Sequence, residues 1–584
     1  MRLRALATGC MACIEELRDM ENLILKHIVS LCVLACLAGC AGSGGEFRRL
    51  PAGEYRDKMT AGWIGQMVGV SWGAPTEFRW QADVIPEAEV PPWKDGMAND
   101  AFGQDDLYVE MTFLKTLEDY GVGASARQAG IDFANSRYGL WHANNAGRRN
   151  LRTGIAPPDS GHPKFNSHAD DIDYQIEADF SGLIAPGLPN AAIELGERFG
   201  RLMNYGDGLY GGQFVGGMYA EAFFEKNPVK IVEAGLKCIP AESQFAETIR
   251  DCLAWHAARP GDWQAAWKLV DEKYQKNPDY RRFSCDKGRF NIDAKLNAAY
   301  IALGLLYCGG DPDRAIAISM RCGQDSDCNP SNAAGVICAA LGTSGMPAKY
   351  SAGLNMETRF SHTAYNFPAL IAVCEKLARQ NVLQAGGKIE KEKDGGEVFL
   401  IPVRAAMPGP LEQSWTPGPV ANSRFTPEES ARIEIPNAPP GMAEAVEKFA
   451  PGWKVKNCGP DMGPGLREEA LGRKNVLMTH PFDQEAACIL HRSLAVPAGK
   501  KTVLKLAVGH DTRGDWLLIV KADGKELAQK PITPETCKGN WTDVEIDLSG
   551  FAGRTVALEL LNQPTGWAFE AGYWSEISVI TTYR

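Results

Sequence analysis

The sequence predicts a multidomain protein: an all-α domain over residues 50–385 is followed by a C-terminal β-sandwich of the jelly-roll type over 441–584. Apolar residues recur at helical spacing through the first region, between loops marked by glycine and proline. From residue 441 onward the apolar residues alternate with polar ones, which is typical of strands with one buried face. Between the two regions, residues 386–440 are rich in proline and charge, and this composition predicts a linker with room for a short hairpin.

The helical prediction rests on apolar residues that repeat every three or four positions. The clearest run ends at Gly121 and consists of Leu107, Met111, Leu114 and Leu117. Further helices are predicted over 191–205, 214–224, 243–274, 294–308, 313–322, 330–341 and 367–380. No strand pattern interrupts residues 54–385, so this domain is expected to be all-α.

The β-sandwich prediction rests on short alternating segments separated by turns such as Asp523-Gly524. The predicted strands span 502–508, 516–522, 541–548 and 555–561. The aromatic segment at 566–574 resembles galactose-binding-like jelly rolls attached to carbohydrate-active enzymes, which implies a carbohydrate-binding module. An equally favoured alternative is that these aromatic residues form the core of a sandwich that binds nothing.

The N-terminus carries an export pattern over residues 1–40. Lys26 and His27 precede an apolar run over 28–38, which is too short to cross a bilayer and suits a signal peptide. The sequence LAGC at 37–40 resembles the lipobox of bacterial lipoproteins, in which the cysteine is lipidated. This predicts a lipid-anchored protein of the bacterial cell envelope, periplasmic or at the outer-membrane surface. Acidic residues before Met20 suggest that Met20 is the true start, and the alternative is a buried helix with an incidental cysteine.

The composition limits the partners and the cysteine chemistry. The 584 residues carry a formal net charge of −11, which argues against a nucleic-acid partner. Of the 16 cysteines, those after Cys40 are scattered without Cys-x-x-Cys pairs, so the spacing predicts neither a disulfide framework nor a structural zinc site.

Three clusters contain residues suited to chemistry. Glycines at 65, 69 and 73 make a smooth helix face, and Glu77 follows on a loop. Adjacent Asp105 and Asp106 open a helix, where the helix dipole favours negative charge and a divalent cation would relieve their repulsion. Asp325 and Asp327, two apart in a loop before another helix, can point at one ion. Each pattern alone has an ordinary structural explanation.

The order and spacing of these clusters resemble the ADP-ribosylglycohydrolase family over about 330 residues. The resemblance implies a glycosidic-bond hydrolase that holds two Mg²⁺ or Mn²⁺ ions in a cleft between helices. By resemblance, one cluster supplies Asp105 and Asp106 as ligands, and the other supplies Asp325 and Asp327. Glu77 matches the loop glutamate that positions the attacking water or the scissile bond.

The chain also departs from the family pattern. Gln104 and Cys328 stand where the family has hydroxyl side chains that help to bind metal, Leu107 replaces a threonine, and Val70 replaces an aspartate. Gln104 and Cys328 are still counted with the predicted metal ligands, because an amide oxygen can coordinate a hard cation and Cys328 lies directly after the aspartate loop. A thiol is a poor ligand for Mg²⁺, so the alternative is that Cys328 only packs and that one of the two ions is weakly bound or absent.

A carboxylate-rich segment at 168–179 is a further departure from the family pattern. Its expected role is to grip a sugar, through His168, Asp170, Asp171, Asp173 and Glu177. Carboxylates and histidine bind sugar hydroxyls but repel a pyrophosphate, so this segment counts against ADP-ribose itself. The alternative is a solvated acidic helix start.

Two functions follow as expectations. In the first, the cations activate a water and Glu77, Asp105 or Asp325 takes its proton while a glycosidic bond is cleaved. The substrate is then a sugar or an ADP-ribosyl small molecule or glycan, and the predicted export favours an extracytoplasmic glycoside. In the second, the helical domain is an inactivated hydrolase core that belongs to a glycan-binding surface lipoprotein.

Overall fold

The fold is described from a computed structural model that covers residues 46–393, 395–434, 438–482, 486–566 and 568–583. The predicted export segment at 1–40 lies outside these residues. Within them, none of the helices combines the length and the apolar character that a membrane crossing requires.

The first region is helical, as predicted, and is joined by short 3-10 turns. Its helices are α1 (Ala52–Gly73), α2 (Asp105–Tyr120), α3 (Ala126–Ala134), α4 (His142–Arg152), α5 (Asp173–Ile176), α6 (Asp179–Leu183), α7 (Pro189–Phe199), α8 (Gly206–Ala222), α9 (Pro228–Leu236), α10 (Gln244–Ala258), α11 (Trp263–Val270), α12 (Ala294–Tyr307), α13 (Pro312–Arg321), α14 (Cys328–Leu341) and α15 (Phe367–Gln384). The predicted single helix over 243–274 is wrong, because the chain leaves helical geometry at Arg259-Pro260-Gly261 between α10 and α11. Proline removes a backbone donor there and glycine relaxes the backbone.

Helices α1 and α14 pack unusually closely, and glycines make this possible. A Cβ added to Gly65 would lie 2.5 Å from the carbonyl oxygen of Ala334, and one added to Gly69 would lie 2.3 Å from that of Pro330. At Gly73 the added Cβ would lie 2.2 Å from the Ser326 carbonyl oxygen. The predicted smooth glycine face is thus confirmed, and it brings the end of α1 against the loop that precedes α14.

Replacing Gly69 with alanine is expected to lower the free energy of unfolding by about 2 kcal/mol, because the new methyl group must push two backbones apart. The measurement is denaturant unfolding followed by circular dichroism. Gly53→Ala is the matched control: it lies in the first turn of the same helix, and its added Cβ meets nothing within 4 Å. Equal stability of the two variants would contradict the close-packing argument.

The segment between the two regions follows the surface of the helical layer. Strands β2 (Lys388–Lys391) and β3 (Glu397–Pro402) form a hairpin, and β1 (Phe47–Pro51) pairs antiparallel with β3 in a three-stranded sheet. Farther along, Glu412 pairs with Arg201 at 2.6 Å. The backbone N–H groups of Ala421 and Ser423 each donate to Asp159 at 2.8 Å. The predicted linker residues are thus held against the helices by specific contacts.

The C-terminal region has two five-stranded antiparallel sheets, which confirms the predicted sandwich class. Two short helices precede it, α16 (Pro427–Ser430) and α17 (Met442–Phe449). The strands are β4 (Lys454–Lys456), β5 (Gly465–Ala470), β6 (Arg473–Thr479), β7 (Cys488–Ala495), β8 (Lys500–His510), β9 (Trp516–Ala522), β10 (Lys525–Ile532), β11 (Trp541–Asp547), β12 (Thr555–Gln563) and β13 (Gly572–Tyr583). Their orders are β10-β9-β12-β7-β4 and β11-β8-β13-β6-β5. Trp516 and Trp574, whose rings lie 5.4 Å apart, belong to one buried core.

Candidate active site

The loop before α14 carries two of the predicted aspartates into the interior. Asp325 is 2% exposed and Asp327 is 3% exposed. A carboxylate oxygen of each and the sulfur of Cys328 lie within 4.8 Å of one another. Asp325 Oδ1 is buried without a hydrogen-bond partner. Because a buried, unpaired carboxylate oxygen is costly, this loop has the character of a ligand-binding site.

The second pair of predicted aspartates opens α2. Asp105 is partly buried, whereas Asp106 is fully buried and neither of its carboxylate oxygens has a hydrogen-bond partner. The free N–H groups and the dipole of the helix N-terminus favour negative charge here. Gln104 precedes the pair in extended conformation, and its side chain makes no capping hydrogen bond.

The electrostatics show that the two pairs belong to one group with Glu77. Burial, followed by the charges of Asp327 and Asp105, raises the pKa of Glu77 to about 7. Burial and the charge of Asp327 raise the pKa of Asp105 to about 6, against two backbone hydrogen bonds that lower it. Burial raises the pKa of Asp325 well above its usual value, and the charges of Asp327, Glu77 and Asp106 add to this effect. Burial is the largest cause of each shift, but the additional effect of these charges requires that they lie near one another. Residues 220 positions apart in the chain therefore belong to one acidic group of Glu77, Asp105, Asp106, Asp325 and Asp327, which we name the acidic cleft.

Glu77 reaches the cleft because its loop is tied to the aspartate loop. The hydroxyl groups of Thr76 and Ser326 are hydrogen-bonded at 2.8 Å. The backbone N–H of Phe78 donates to the carbonyl oxygen of Gln324 at 2.9 Å. Both contacts lie directly after the glycine face of α1, so the glycines, the glutamate and the late aspartates form one structural unit.

The raised carboxyl pKa values predict that the metal-free protein is more stable in mild acid. Between about pH 4 and about pH 7 the native state binds more protons than the unfolded chain does, because Glu77 and Asp105 titrate above their usual values. Stability therefore rises as the pH falls through that window. After chelator treatment, the melting temperature should be higher at about pH 5.5 than at about pH 8.

Glu77→Gln combined with Asp105→Asn should reduce this difference, because the amides do not titrate. A metal-free protein that melts at a lower temperature in mild acid would show that the carboxylates do not repel one another in the folded state.

Two predicted substrate-binding carboxylates, those of Asp173 and Glu177, lie beside the acidic cleft. Asp173 accepts hydrogen bonds from the backbone N–H groups of Ala143 and Asn144, at 3.2 and 3.0 Å, at the start of α4. Glu177 accepts from the Asn144 side chain and keeps one oxygen without a partner. Burial and the nearby charges of Asp173, Asp105 and other carboxylates raise the pKa of Glu177 well above its usual value. Both residues therefore border the acidic group.

The other predicted substrate-binding residues are separated from one another. The Asp170 carboxylate is buried and accepts a hydrogen bond from Ser414, a residue of the segment that crosses the helical layer. His168 and Asp171 instead belong to a second cluster, in which His168 Nδ1 and Asp171 Oδ2 lie 2.7 Å apart. The predicted grip on one sugar by all five residues does not match this arrangement, because consecutive residues of an irregular segment point in different directions.

Sequence reasoning missed two buried carboxylates behind Asp106. Glu110 accepts from Gln66 Nε2 at 2.6 Å and from the backbone N–H of Phe180 at 2.9 Å. Asp179 accepts from Asn332 Nδ2 at 2.6 Å and from the hydroxyl of Tyr219. A signal for Glu110 was present, because it stands four residues after Asp106 on the face of α2 that the leucines mark as buried.

The donor set fits hard divalent cations. Asp106 and Asp325 offer buried carboxylate oxygens without hydrogen-bond partners, and such oxygens are the ligands that Mg²⁺ and Mn²⁺ prefer. The burial of Cys328 and the surrounding carboxylates raise the pKa of its thiol well above the usual value. A thiol is in any case a poor ligand for Mg²⁺, which favours packing over the predicted ligand role of Cys328.

Comparison with known proteins gives the following matches. A structure described as an ADP-ribosylglycohydrolase-related protein complex is 13% identical over 56% of this chain and 99% of its own, with a TM-score of 0.35. A cyclase from Fischerella sp. TAU is 13% identical over 22% of this chain and 74% of its own, with a TM-score of 0.17. The K3 cleaved adhesin domain of Lys-gingipain from Porphyromonas gingivalis w83 is 14% identical over 24% of this chain and 97% of its own, with a TM-score of 0.18.

These structural likenesses are too slight to carry an argument about function. No curated protein matches the chain. Residues 51–384, more than half of the chain, match the family described as ADP-ribosylglycohydrolase. The chain therefore belongs to the ADP-ribosylglycohydrolase family.

Proposed function

We propose that the chain is a divalent-cation-dependent hydrolase of a glycosidic bond, with Asp105, Asp106, Asp325 and Asp327 as the ligands of up to two ions. The observation that carries the proposal is the meeting of these aspartates in one cleft where buried carboxylate oxygens have no protein partner. A structural acidic cluster would satisfy these oxygens with arginine, lysine or N–H donors. Among the described residues, none of these four aspartates has a lysine or arginine within salt-bridge distance.

Mg²⁺ or Mn²⁺ bound here would supply positive charge that polarises a substrate oxygen and lowers the pKa of a water. Glu77 is the residue proposed to accept the proton of that water, because its loop is tied to the aspartate loop through the Thr76 and Ser326 hydroxyl groups, 2.8 Å apart. A carboxyl group that takes this proton can later return it to the leaving oxygen.

The first test is metal dependence over a substrate panel. The purified chain is stripped with chelator and assayed with Mg²⁺, with Mn²⁺ and without metal on ADP-ribosyl-arginine, ADP-ribosyl-serine and aryl furanosides. The expected result is hydrolysis of at least one substrate that is lost on stripping and restored by metal. Hydrolysis that does not change on stripping, or metal binding without turnover of any substrate, would contradict the proposal, and the second result favours the glycan-binding alternative.

The substrate class is proposed to be an extracytoplasmic glycoside rather than ADP-ribose. Asp173, whose pKa is raised only to about 6, adds negative charge to the cleft near neutral pH, and this charge opposes a pyrophosphate. Glu177 keeps a buried oxygen without a hydrogen-bond partner, which suits a sugar hydroxyl. The export pattern at residues 26–40 supports the same choice and the proposed lipid anchor in a bacterial cell envelope. The panel distinguishes the two classes directly, because ADP-ribosyl compounds carry the pyrophosphate and aryl furanosides do not.

Glycan binding by the β-sandwich is part of the same proposal. Phe569, within the closing aromatic segment at 566–574, is 37% exposed, and Arg513 lies over one face of its ring, 3.9 Å from the ring centre. The other face of this ring is the surface that we propose stacks on a sugar ring.

A further inference from the structure

A second cluster of metal-ligating side chains lies outside the acidic group. It consists of His142, His168, Asp171 and Cys285, and one ligand atom from each lies within 4.8 Å of all the others. The four residues come from three separate parts of the chain: the start of α4, the segment before α5, and the irregular segment before α12. The sequence analysis did not predict this group, because its four members follow no metal-binding spacing along the chain.

The cluster contains buried polar atoms that have no hydrogen-bond partner in the protein. Asp171 is fully buried, and its Oδ1 has no hydrogen-bond partner. Its Oδ2 is shared by two imidazoles, with His168 Nδ1 at 2.7 Å and His142 Nδ1 at 3.3 Å. His142 Nδ1 is itself buried without a well-formed hydrogen bond. One ion pair between a histidine and an aspartate would explain His168 alone, but it does not explain why His142 and Cys285 point at the same place.

The backbone of His142 is also held in an unfavourable conformation. Its φ is +41°, in the left-handed region that a residue with a Cβ rarely adopts. Such strain persists where surrounding contacts fix the residue, and it concentrates at functional sites. Here it sets the imidazole beside His168, with the two rings 5.2 Å apart.

Hydrogen bonds of the Asn166 side chain and of the backbone hold the three segments in place. The backbone N–H of His168 donates to Asn166 Oδ1 at 2.9 Å, and Asn166 Nδ2 donates to the carbonyl oxygen of Ala143 at 3.0 Å. The backbone N–H of Ile172 donates to the carbonyl oxygen of Ile292 at 3.0 Å. The first two bonds fix the His168 loop to α4, and the third fixes the Asp171 segment to the end of the Cys285 segment. The ligand atoms are thus brought together before any ion binds.

We propose that His142, His168, Asp171 and Cys285 form a zinc site. Two imidazole nitrogens, one carboxylate oxygen and one thiolate sulfur are a donor set that Zn²⁺ accepts in tetrahedral geometry, and Mg²⁺ disfavours both nitrogen and sulfur. The Cys285 thiol releases its proton to solvent on binding. Because the protein supplies all four ligands, the proposed zinc site is structural, with no open position for a substrate. The zinc ion would link the exposed Cys285 segment to the start of α4.

Aromatic contacts connect the proposed zinc site to the acidic cleft. The His142 ring stacks on Phe290 at 5.8 Å, and Phe290 packs against Phe78 at 5.2 Å. Phe78 directly follows Glu77 in the chain. Zinc at this cluster would therefore hold the loop that contains Glu77 in place. The zinc proposal itself does not depend on hydrolytic activity.

The experiment replaces zinc by Co²⁺ in the full chain and records the visible absorption bands of tetrahedral cobalt and the near-ultraviolet thiolate-to-cobalt band. Cys285→Ser should remove the thiolate band, and His168→Ala should lower bound zinc by one equivalent, as measured by elemental analysis. Cys285 is exposed, so its serine variant is expected to fold, and circular dichroism checks this directly.

Two control variants make the assignment specific. Cys328→Ser tests the other thiol near carboxylates and should leave the thiolate band intact. Asp325→Asn with Asp327→Asn should also leave the band intact, which separates this site from the proposed hydrolase centre. A thiolate band that survives Cys285→Ser, or that is lost with Cys328→Ser, would overturn the proposal, as would a wild-type chain that binds no Co²⁺ through sulfur.

Discussion

Replacing Asp325 with asparagine is expected to reduce kcat/KM on the best substrate of the panel roughly a thousandfold, which corresponds to about 4 kcal/mol of lost transition-state stabilisation. The substitution keeps the shape of the side chain but removes its charge, and a neutral amide binds a hard divalent cation more weakly than a carboxylate does. Asp325 is central in this respect, because its Oδ1 is buried without any partner that the protein supplies.

The same substitution should not destabilise the metal-free protein. The pKa of Asp325 is raised by burial and by neighbouring carboxylates, so its charge is unfavourable in the folded state. A neutral amide at this position removes that repulsion, and the melting temperature should stay equal or rise. Loss of activity without loss of stability is a combination that unfolding cannot produce.

Asp543→Asn is the matched control, because it makes the same chemical change on an exposed position of β11. It should leave both activity and melting temperature unchanged. If the Asp325 variant retains activity within tenfold of the parent while Mn²⁺ binding is unaltered, the aspartate loop does not hold the ion that the reaction needs.

The location of the acidic cleft could be inferred from the sequence because its signals are local patterns in a fixed order. Glycines at every fourth position predict a close helix contact, and the structure shows which partner they contact, through Gly69 and Pro330. The adjacent pair at 105–106 and the loop at 325–327 each favour a cation. The spacing along the chain matched a known family, and that match is what related the two sites to each other.

The second cluster could not be inferred in this way. His142 and Cys285 are single residues in segments without periodicity, and they approach Asp171 only through tertiary contacts. The separation of the predicted sugar-binding residues of the 168–179 segment could not be inferred for a related reason. Its carboxylates lie in short helices and turns, so Asp170 faces Ser414 while Asp173 caps α4. The direction in which either side chain points cannot be predicted from the sequence alone.

The largest expected change in stability comes from Lys295→Met. Lys295 is 2% exposed near the start of α12, with Nζ at 3.4 Å from Asp207 Oδ2 and 3.7 Å from Asp293 Oδ2. Burial alone would lower the pKa of this lysine, but the charges of Asp293, Asp207 and Asp170 outweigh burial and raise it. The ammonium is therefore the counter-charge of the two buried carboxylates nearest to it, those of Asp207 and Asp293.

Removal of this cation should cost about 3–5 kcal/mol of unfolding free energy, because breaking a buried ion pair leaves charge without compensation. Urea unfolding at neutral pH measures the loss. The loss should shrink in mild acid, where the remaining carboxylates can take up protons; burial already raises the pKa of Asp170 to about 8.

Lys456→Met is the control, since its partner Glu559 lies at 3.0 Å on the partly exposed surface of the sandwich, and surface pairs contribute little. Combining Lys295→Met with Asp207→Asn should recover part of the lost stability, because the second substitution removes a carboxylate charge that has lost its lysine partner. A single variant that loses less than about 1 kcal/mol would mean that water or a bound cation already balances these carboxylates. Elemental analysis of the variant would then separate the two explanations, because only a bound cation adds metal to the protein.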